Sequence, residues 1–280
     1  MPTEPLAVGV CSWSLQVTSV PELRRLLDQL GVNVIQIACG DPHHASWEEG
    51  ERMPEAARAA GFDISAAMLG FPGEDYTTPA HIQRTGGFGD PGTRPERLER
   101  LQWALKRCNE LGVDGLTLHA GFLPEPSDPA RRPFLDTLGT AAALAKSAGV
   151  TLCFETGQET AALLRRTLDD LACDNLKVNF DPANMLLYDM GDPIAAIDVL
   201  GPDIRSVHAK DANRPTTPGE WGEEVPLGQG QVNMRAWVQA LKDSGFAGPL
   251  VIEREVGDQQ QRMADVAHGI RVLRDITAAL

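Results

Sequence analysis

Apolar and polar positions along this chain switch between two periods. Eight short apolar runs read as strands. They begin Ala7-Val-Gly-Val, Val32-Asn-Val-Ile, Phe62-Asp-Ile-Ser, Gly115-Leu-Thr-Leu, Val150-Thr-Leu-Cys, Leu176-Lys-Val-Asn, Ile204-Arg-Ser-Val and Pro249-Leu-Val-Ile. Between them lie windows whose apolar residues recur at i, i+3, i+4 and i+7, the spacing that lines one face of a helix. Leu23, Leu26, Leu27 and Leu30 follow it, as do Leu98, Leu101, Leu105 and Cys108. Leu163, Leu164, Leu168 and Leu171 form a third window, and Met263, Val266, Ile270, Leu273 and Ile276 a fourth. Gly31, Gly61, Gly112 and Gly149 stand at helix-to-strand joints. Glycine is favoured there because it adopts the left-handed conformation that ends a helix.

Eight strand-helix repeats with no other architecture between them predict an α/β fold, a (β/α)8 TIM barrel. Nothing splits residues 1–280 into parts, so one domain is expected. The alternative, an open doubly wound sheet, calls for a glycine fingerprint after the first strand, and this chain has none. Two loops are long, Gly70 to Arg94 and Asn213 to Asn233. Both follow strands and are expected on the catalytic face as lids or specificity elements, with plain surface insertion as the alternative.

Composition narrows the partners. The formal net charge is -14, from 39 acidic and 25 basic residues. That argues against nucleic acid and anionic membrane as partners, since both need clustered Lys and Arg. It leaves a cationic metal or a neutral polar substrate open. Hydrophobic residues make up 42% and aromatics only 5%, so the core should be mainly aliphatic. The five cysteines are scattered and form no CxxC pair. They read as reduced thiols of a cytoplasmic protein, not as a disulfide frame or zinc cluster. The N-terminus lacks a basic region, and the apolar stretch Leu6 to Cys11 is too short for a signal peptide or membrane span.

The chemistry lies at strand ends. Glu155, Asp181, His208 and Glu253 each close an apolar run, at intervals of 26, 27 and 45 residues. Each interval is long enough for one strand-loop-helix unit. Successive parallel strands would therefore deliver all four side chains to the same end of one sheet. Singly, a strand-end Glu is most often solvated or ion-paired, and a strand-end His is most often structural. Jointly, two Glu, one Asp and one His describe a site for one divalent metal ion, and hence an enzyme. These borderline-hard donors suit Mn2+, Mg2+, Co2+ or Zn2+. Four protein ligands leave two positions for substrate oxygens, such as the vicinal hydroxyl and carbonyl of a sugar.

Several segments resemble a known family. They are Phe154-Glu155, Phe180-Asp181-Pro182-Ala183-Asn184, Val207-His208-Ala209-Lys210-Asp211, Pro226-Leu227-Gly228-Gln229-Gly230 and Val251-Ile252-Glu253. The family is the xylose isomerase-like TIM-barrel superfamily, and within it the sugar phosphate isomerase/epimerase proteins such as the ketose 3-epimerases. The likeness covers most of the chain and is densest from Val150 to Glu253. It implies that Glu155, Asp181, His208 and Glu253 bind the metal, and that Glu155 and Glu253 double as the acid/base pair. The implied chemistry is proton abstraction beside a carbonyl, through an enediolate. Arg214 resembles an arginine that holds terminal substrate oxygens in the ketose epimerases; a surface arginine is the alternative. One position departs from the pattern. Those epimerases often carry histidine three residues after the Asp ligand, where this chain has Asn184. An amide hydrogen-bonds a sugar hydroxyl but cannot shuttle a proton. The DNA-repair endonucleases of the same fold use a three-zinc cluster rich in histidine. Of His43, His44, His81, His119, His208 and His268, only His119 and His208 end clear strands, so that cluster is not expected.

Other residues complete the expected site. His119 and Asn184 are expected to hydrogen-bond substrate, with a structural role as the alternative for His119. Trp13 is expected to wall a sugar ring or pack the barrel mouth. Lys210 and Asp211 are expected to touch the ligands, with Asp211 or a nearby carbonyl orienting His208. Gly228-Gln229-Gly230 is a weak phosphate cradle, and no other phosphate site is evident. The function expected first is a metal-dependent isomerase or epimerase of a sugar or related polyol. The alternatives are a metal-dependent dehydratase or lyase of a keto-sugar or keto-inositol, and a non-catalytic sugar-binding barrel. Intact Glu155 and Glu253 argue against the last. The partner is a small carbohydrate. Members of this superfamily are often dimers or tetramers, but no apolar stripe here marks a homo-oligomer interface.

Overall fold

The computed structural model describes residues 5–40 and 45–280, with side chains omitted for residues 45 and 46. Eight strands form the barrel: β1 Val8–Cys11, β2 Val34–Ala38, β3 Asp63–Met68, β4 Gly115–Leu118, β5 Thr151–Glu155, β6 Leu176–Phe180, β7 Ile204–Ala209 and β10 Leu250–Ile252. β8 Asp211–Asn213 and β9 Glu223–Val225 make a separate antiparallel pair. The barrel closes in the order β1-β10-β7-β6-β5-β4-β3-β2, and every neighbouring pair is parallel. Closure is made by β1 against β10, with Val8 opposite Leu250 and Val10 opposite Ile252.

The chain is thus a single (β/α)8 domain, as the eight apolar runs predict. The helical windows also fall where their spacing puts them, at Val20–Leu30, Arg94–Leu111, Ala161–Leu171 and Gln259–Ala278. The helix Val20–Leu30 shows the local logic. Ser19 caps it by accepting the Glu22 N–H, and Pro21 stands in its first turn. Leu23, Leu26 and Leu27 are buried against the barrel. Burying each contributes roughly 1.5–3 kcal/mol. The helix stops at Gly31, whose φ of +65° is open to glycine at no steric cost.

Neither long loop is featureless. The first carries the helix Pro79–Thr85, and the second is folded back as the β8–β9 pair. Short elements of three to seven residues are too brief to show a period in sequence. The main aliphatic core fills the space between barrel and helices. A smaller apolar cluster of Cys11, Trp13, Ala38 and Val251, with Met68 against it, is separate. It lies beside His208, whose ring meets that of Trp13 edge-on at 5.8 Å. All five cysteines are free. Among the described residues, no helix is long and apolar enough to cross a membrane.

Candidate active site

Consecutive barrel strands bring the four strand-end residues together. Glu155 is the last residue of β5, Asp181 directly follows β6, His208 lies near the end of β7, and Glu253 directly follows β10. One ligand atom from each of the four falls within 4.8 Å of all the others. His208 Nδ1 stands 3.2 Å from Glu155 Oε1, 3.5 Å from Glu253 Oε2 and 3.7 Å from Asp181 Oδ2. His208 and Asp181 are both 0% exposed.

Each carboxylate is aimed by donors from neighbouring elements. Asp181 caps the helix Pro182–Leu187, its Oδ1 accepting the N–H groups of Ala183 at 2.8 Å and Asn184 at 2.9 Å. Glu155 accepts from Asn184 Nδ2 at 2.9 Å on Oε1 and from Asn179 Nδ2 at 3.2 Å on Oε2. Glu253 accepts from Trp13 Nε1 at 2.7 Å on Oε1 and from Lys210 Nζ at 2.8 Å on Oε2. Its backbone N–H donates to Ala209 at 3.2 Å, locking it beside β7. His208 Nε2 meets Gln36 Oε1 at 2.9 Å, so Nε2 has an acceptor of its own and Nδ1 is the nitrogen turned toward the carboxylates.

The electrostatics are lopsided. Burial by itself would raise Glu155 and Glu253. The charge on His208, with His119 beside Glu155 and Lys210 beside Glu253, overrides it and holds both below the ordinary carboxylate range, Glu253 far below. Burial would lower His208, but Glu253 and Glu155 push it well above its usual value. Asp181 goes the other way, with burial outweighing Lys210 and raising it.

These residues fit a divalent cation. Asp181 Oδ2 is buried and has no hydrogen-bond partner among the described residues. A buried carboxylate oxygen without a hydrogen bond is costly, and here it faces His208 Nδ1 at 3.7 Å and Lys210 Nζ at 4.0 Å. Three carboxylates and one imidazole form a hard to borderline donor set, suited to Mg2+, Mn2+, Co2+ or Zn2+. Cys11 also approaches His208 and Glu253, but burial pushes its thiol up to about 12. Among the described residues, no histidine-rich cluster is present. His43 and His44 lie outside the described residues.

A cavity of about 580 Å³ opens onto Glu155 and Glu253 of the quartet, and Trp13, His119 and Asn184 line it as well. Its size suits a small ligand. Both long loops wall it, through Glu74 and Tyr76 of the first and Trp221 and Glu224 of the second. His119 Nε2 is 3.8 Å from Glu155 Oε1, and its Nδ1 is buried without a hydrogen bond among the described residues.

Two expectations need correction. Arg214 does not face the cavity: its guanidinium pairs with Asp189 Oδ1 at 2.6 Å and with the carbonyl of Gly191. Loop closure decides this, because Asp189 sits within reach at a left-handed φ of +55°. Asp211 does not orient His208. It accepts the N–H groups of Gly228, Gly230, Val232 and Ala212 at 2.9–3.0 Å and so shapes the loop after β9. A side chain on Gly230 would meet Asp211 Oδ1 at 2.3 Å, so only glycine fits there. Lys210 does touch the quartet, through Glu253, and also bonds to Glu255. Gln36 and Asn179 were not singled out by the sequence reading. Their only signal is a polar residue inside an apolar strand, and both are fully buried.

Comparison with known proteins agrees with this geometry. A xylose isomerase domain protein from Planctomyces limnophilus superposes with a TM-score of 0.87 at 32% identity, covering 97% of each chain. An L-ribulose 3-epimerase structure superposes with a TM-score of 0.73 at 18% identity, covering 98% of this chain and 95% of the other, a likeness of fold. L-ribulose-5-phosphate 3-epimerase of Escherichia coli is 28% identical over 195 residues, 67% of this chain and 66% of that protein. This chain therefore spans just under two thirds of that relative's length. The xylose isomerase-like TIM barrel family matches residues 24–276, nearly the whole barrel, and the chain belongs to that family.

Proposed function

We propose that this protein is a divalent-metal-dependent isomerase or epimerase acting on a sugar or related polyol. The observation that carries the reading is the placement of Glu155 and Glu253. Both are buried, both line the cavity, and both stand beside His208 and the Asp181 oxygen that has no hydrogen bond among the described residues.

Glu155, Asp181, His208 and Glu253 would hold the metal. When bound, it supplies positive charge opposite the substrate oxygen that turns negative as a neighbouring C–H proton leaves. The remaining work belongs to the chain. Glu155 and Glu253 are held ionised, so each is able to accept a proton from carbon. They approach from β5 and from β10, on different sides of the barrel. One removing a proton and the other returning it on the opposite face gives epimerisation. Trp13 fixes Glu253 through Nε1, and Asn184 fixes Glu155 through Nδ2. His119 offers a ring nitrogen to a substrate hydroxyl. The relatives named as epimerases support the same class of reaction.

The test is solvent-deuterium exchange. Protein supplemented with Mn2+ is incubated in D2O with a panel of ketoses and aldoses. Exchange at the carbon beside the carbonyl is expected, and is lost with chelator and in Glu155→Gln or Glu253→Gln. Tight binding without exchange on any sugar would make the barrel a binding module. A new absorbance from an unsaturated ketone would move the reaction to elimination.

A further inference from the structure

We infer that the substrate of this cavity carries no phosphate: it is a free sugar or polyol, bound through hydroxyl groups. The inference rests on the reading that the cavity is the substrate site, and names the substrate class within it.

The wall chemistry is one-sided. Besides Glu155 and Glu253, the cavity is lined by the carboxylates of Glu74, Glu224 and Glu255. Among the described residues, no Lys or Arg lines it. Three cations that follow the strand-end residues in sequence are already paired. Lys210 is buried against Glu253 and Glu255. Arg254 donates to Glu224 Oε1 at 2.7 Å and to Asp265 Oδ2 at 2.9 Å. Arg214 is held by Asp189. A bound phosphate needs such cations or a set of free backbone N–H groups.

The one glycine pattern that suggested a phosphate cradle is also occupied. Gly228 and Gly230 both donate their N–H groups to Asp211 Oδ2 at 2.9 Å. The loop therefore binds its own carboxylate where a phosphate would sit. A terminal phosphate would enter a cavity walled by carboxylates with no partner, and juxtaposed like charges cost several kcal/mol.

What the wall does offer suits hydroxyls and C–H faces. Carboxylate oxygens accept from sugar hydroxyls. Tyr188 and Trp221 meet edge-on at 4.8 Å and present an aromatic corner to the cavity. Such surfaces take the apolar face of a sugar ring and gain nothing from a phosphate.

The experiment pairs each free ketopentose and ketohexose with its terminal monophosphate. Each is titrated calorimetrically into Mn2+-supplemented protein, and deuterium exchange is followed on the same samples. The free sugars are expected to bind, and the monophosphates to bind at least about 100-fold more weakly. Val256 lines the cavity and is 49% exposed, so Val256→Arg adds a cation without disturbing the core. That variant is expected to narrow the gap at least about tenfold by favouring the monophosphates. A monophosphate binding more tightly than its parent sugar overturns the inference, as does a panel in which no free sugar binds. A gap unchanged in Val256→Arg also overturns it, since charge would then not set the preference. Exchange on a preferred monophosphate would keep the proposed chemistry and discard only this inference. Binding of free sugars without exchange would do the reverse.

Discussion

His208 Nε2 and Gln36 Oε1 meet at 2.9 Å across the barrel interior, joining β7 to β2. The two residues are 172 positions apart, and both are fully buried. The contact gives Nε2 an acceptor and leaves Nδ1 facing three carboxylates. Gln36→Met keeps the volume and removes the acceptor. Its affinity for Mn2+ should fall about 10–100-fold, as titration calorimetry would record. An unchanged affinity would show that the ring holds its orientation without Gln36.

Lys210 is the counter-charge of the site. It is 2% exposed and bonds to Glu253 and Glu255, with Asn184 Oδ1 at 3.4 Å. Burial would lower it, but Glu253 and Glu255 raise it well above its usual value, so it stays charged. Lys210→Met strands those carboxylates. Urea unfolding without metal should show a loss of roughly 3–5 kcal/mol. Mn2+ should recover part of that loss, because a cation beside Glu253 replaces the missing charge. A variant as stable as the parent in chelator would refute the role.

Asp211 anchors the loop after β9 through four backbone N–H groups. Asp211→Asn, with its amide nitrogen turned to Gly228 and Gly230, sets donor against donor. A loss of about 2–4 kcal/mol in urea unfolding is expected. Proteolytic cleavage between residues 226 and 232 should speed up, while Mn2+ affinity changes little. Equal cleavage rates would mean that the loop is held by other contacts.

Glu159 gives a pH signature distinct from the strand-end quartet. It is 6% exposed, and burial alone pushes its carboxyl up to about 8. In the unfolded chain it titrates near an ordinary value of about 4.3. Between those values the folded protein keeps a proton that the unfolded chain has released. Stability from this group therefore falls as pH rises through that window and is level on either side. Glu159→Gln should match the parent near pH 4 and exceed it at pH 9, by up to about 5 kcal/mol. Thermal unfolding across the range would measure this; parallel curves would place Glu159 in a solvated setting.

The alternation of short apolar runs with helical windows was enough to read the barrel, because both periods are local properties of a few neighbouring residues. The convergence of the four strand-end residues was legible for the same reason. In a parallel barrel every strand end faces one way, so Glu155, Asp181, His208 and Glu253 converge whatever the details. What local pattern could not supply was the pairing of side chains far apart in sequence. Arg214 follows β8 at the mouth and looked free for substrate, yet its partner Asp189 comes from a turn 25 residues earlier. Asp211 looked like a partner of His208, but the loop curls back over it and takes its oxygens. Gln36 looked like one more strand residue until barrel closure set it against the imidazole. Such contacts depend on register and loop path, which distances across the whole fold decide. Which donors meet at the barrel mouth is thus written along the strands, and the partner of each charged group is settled only by the closed barrel.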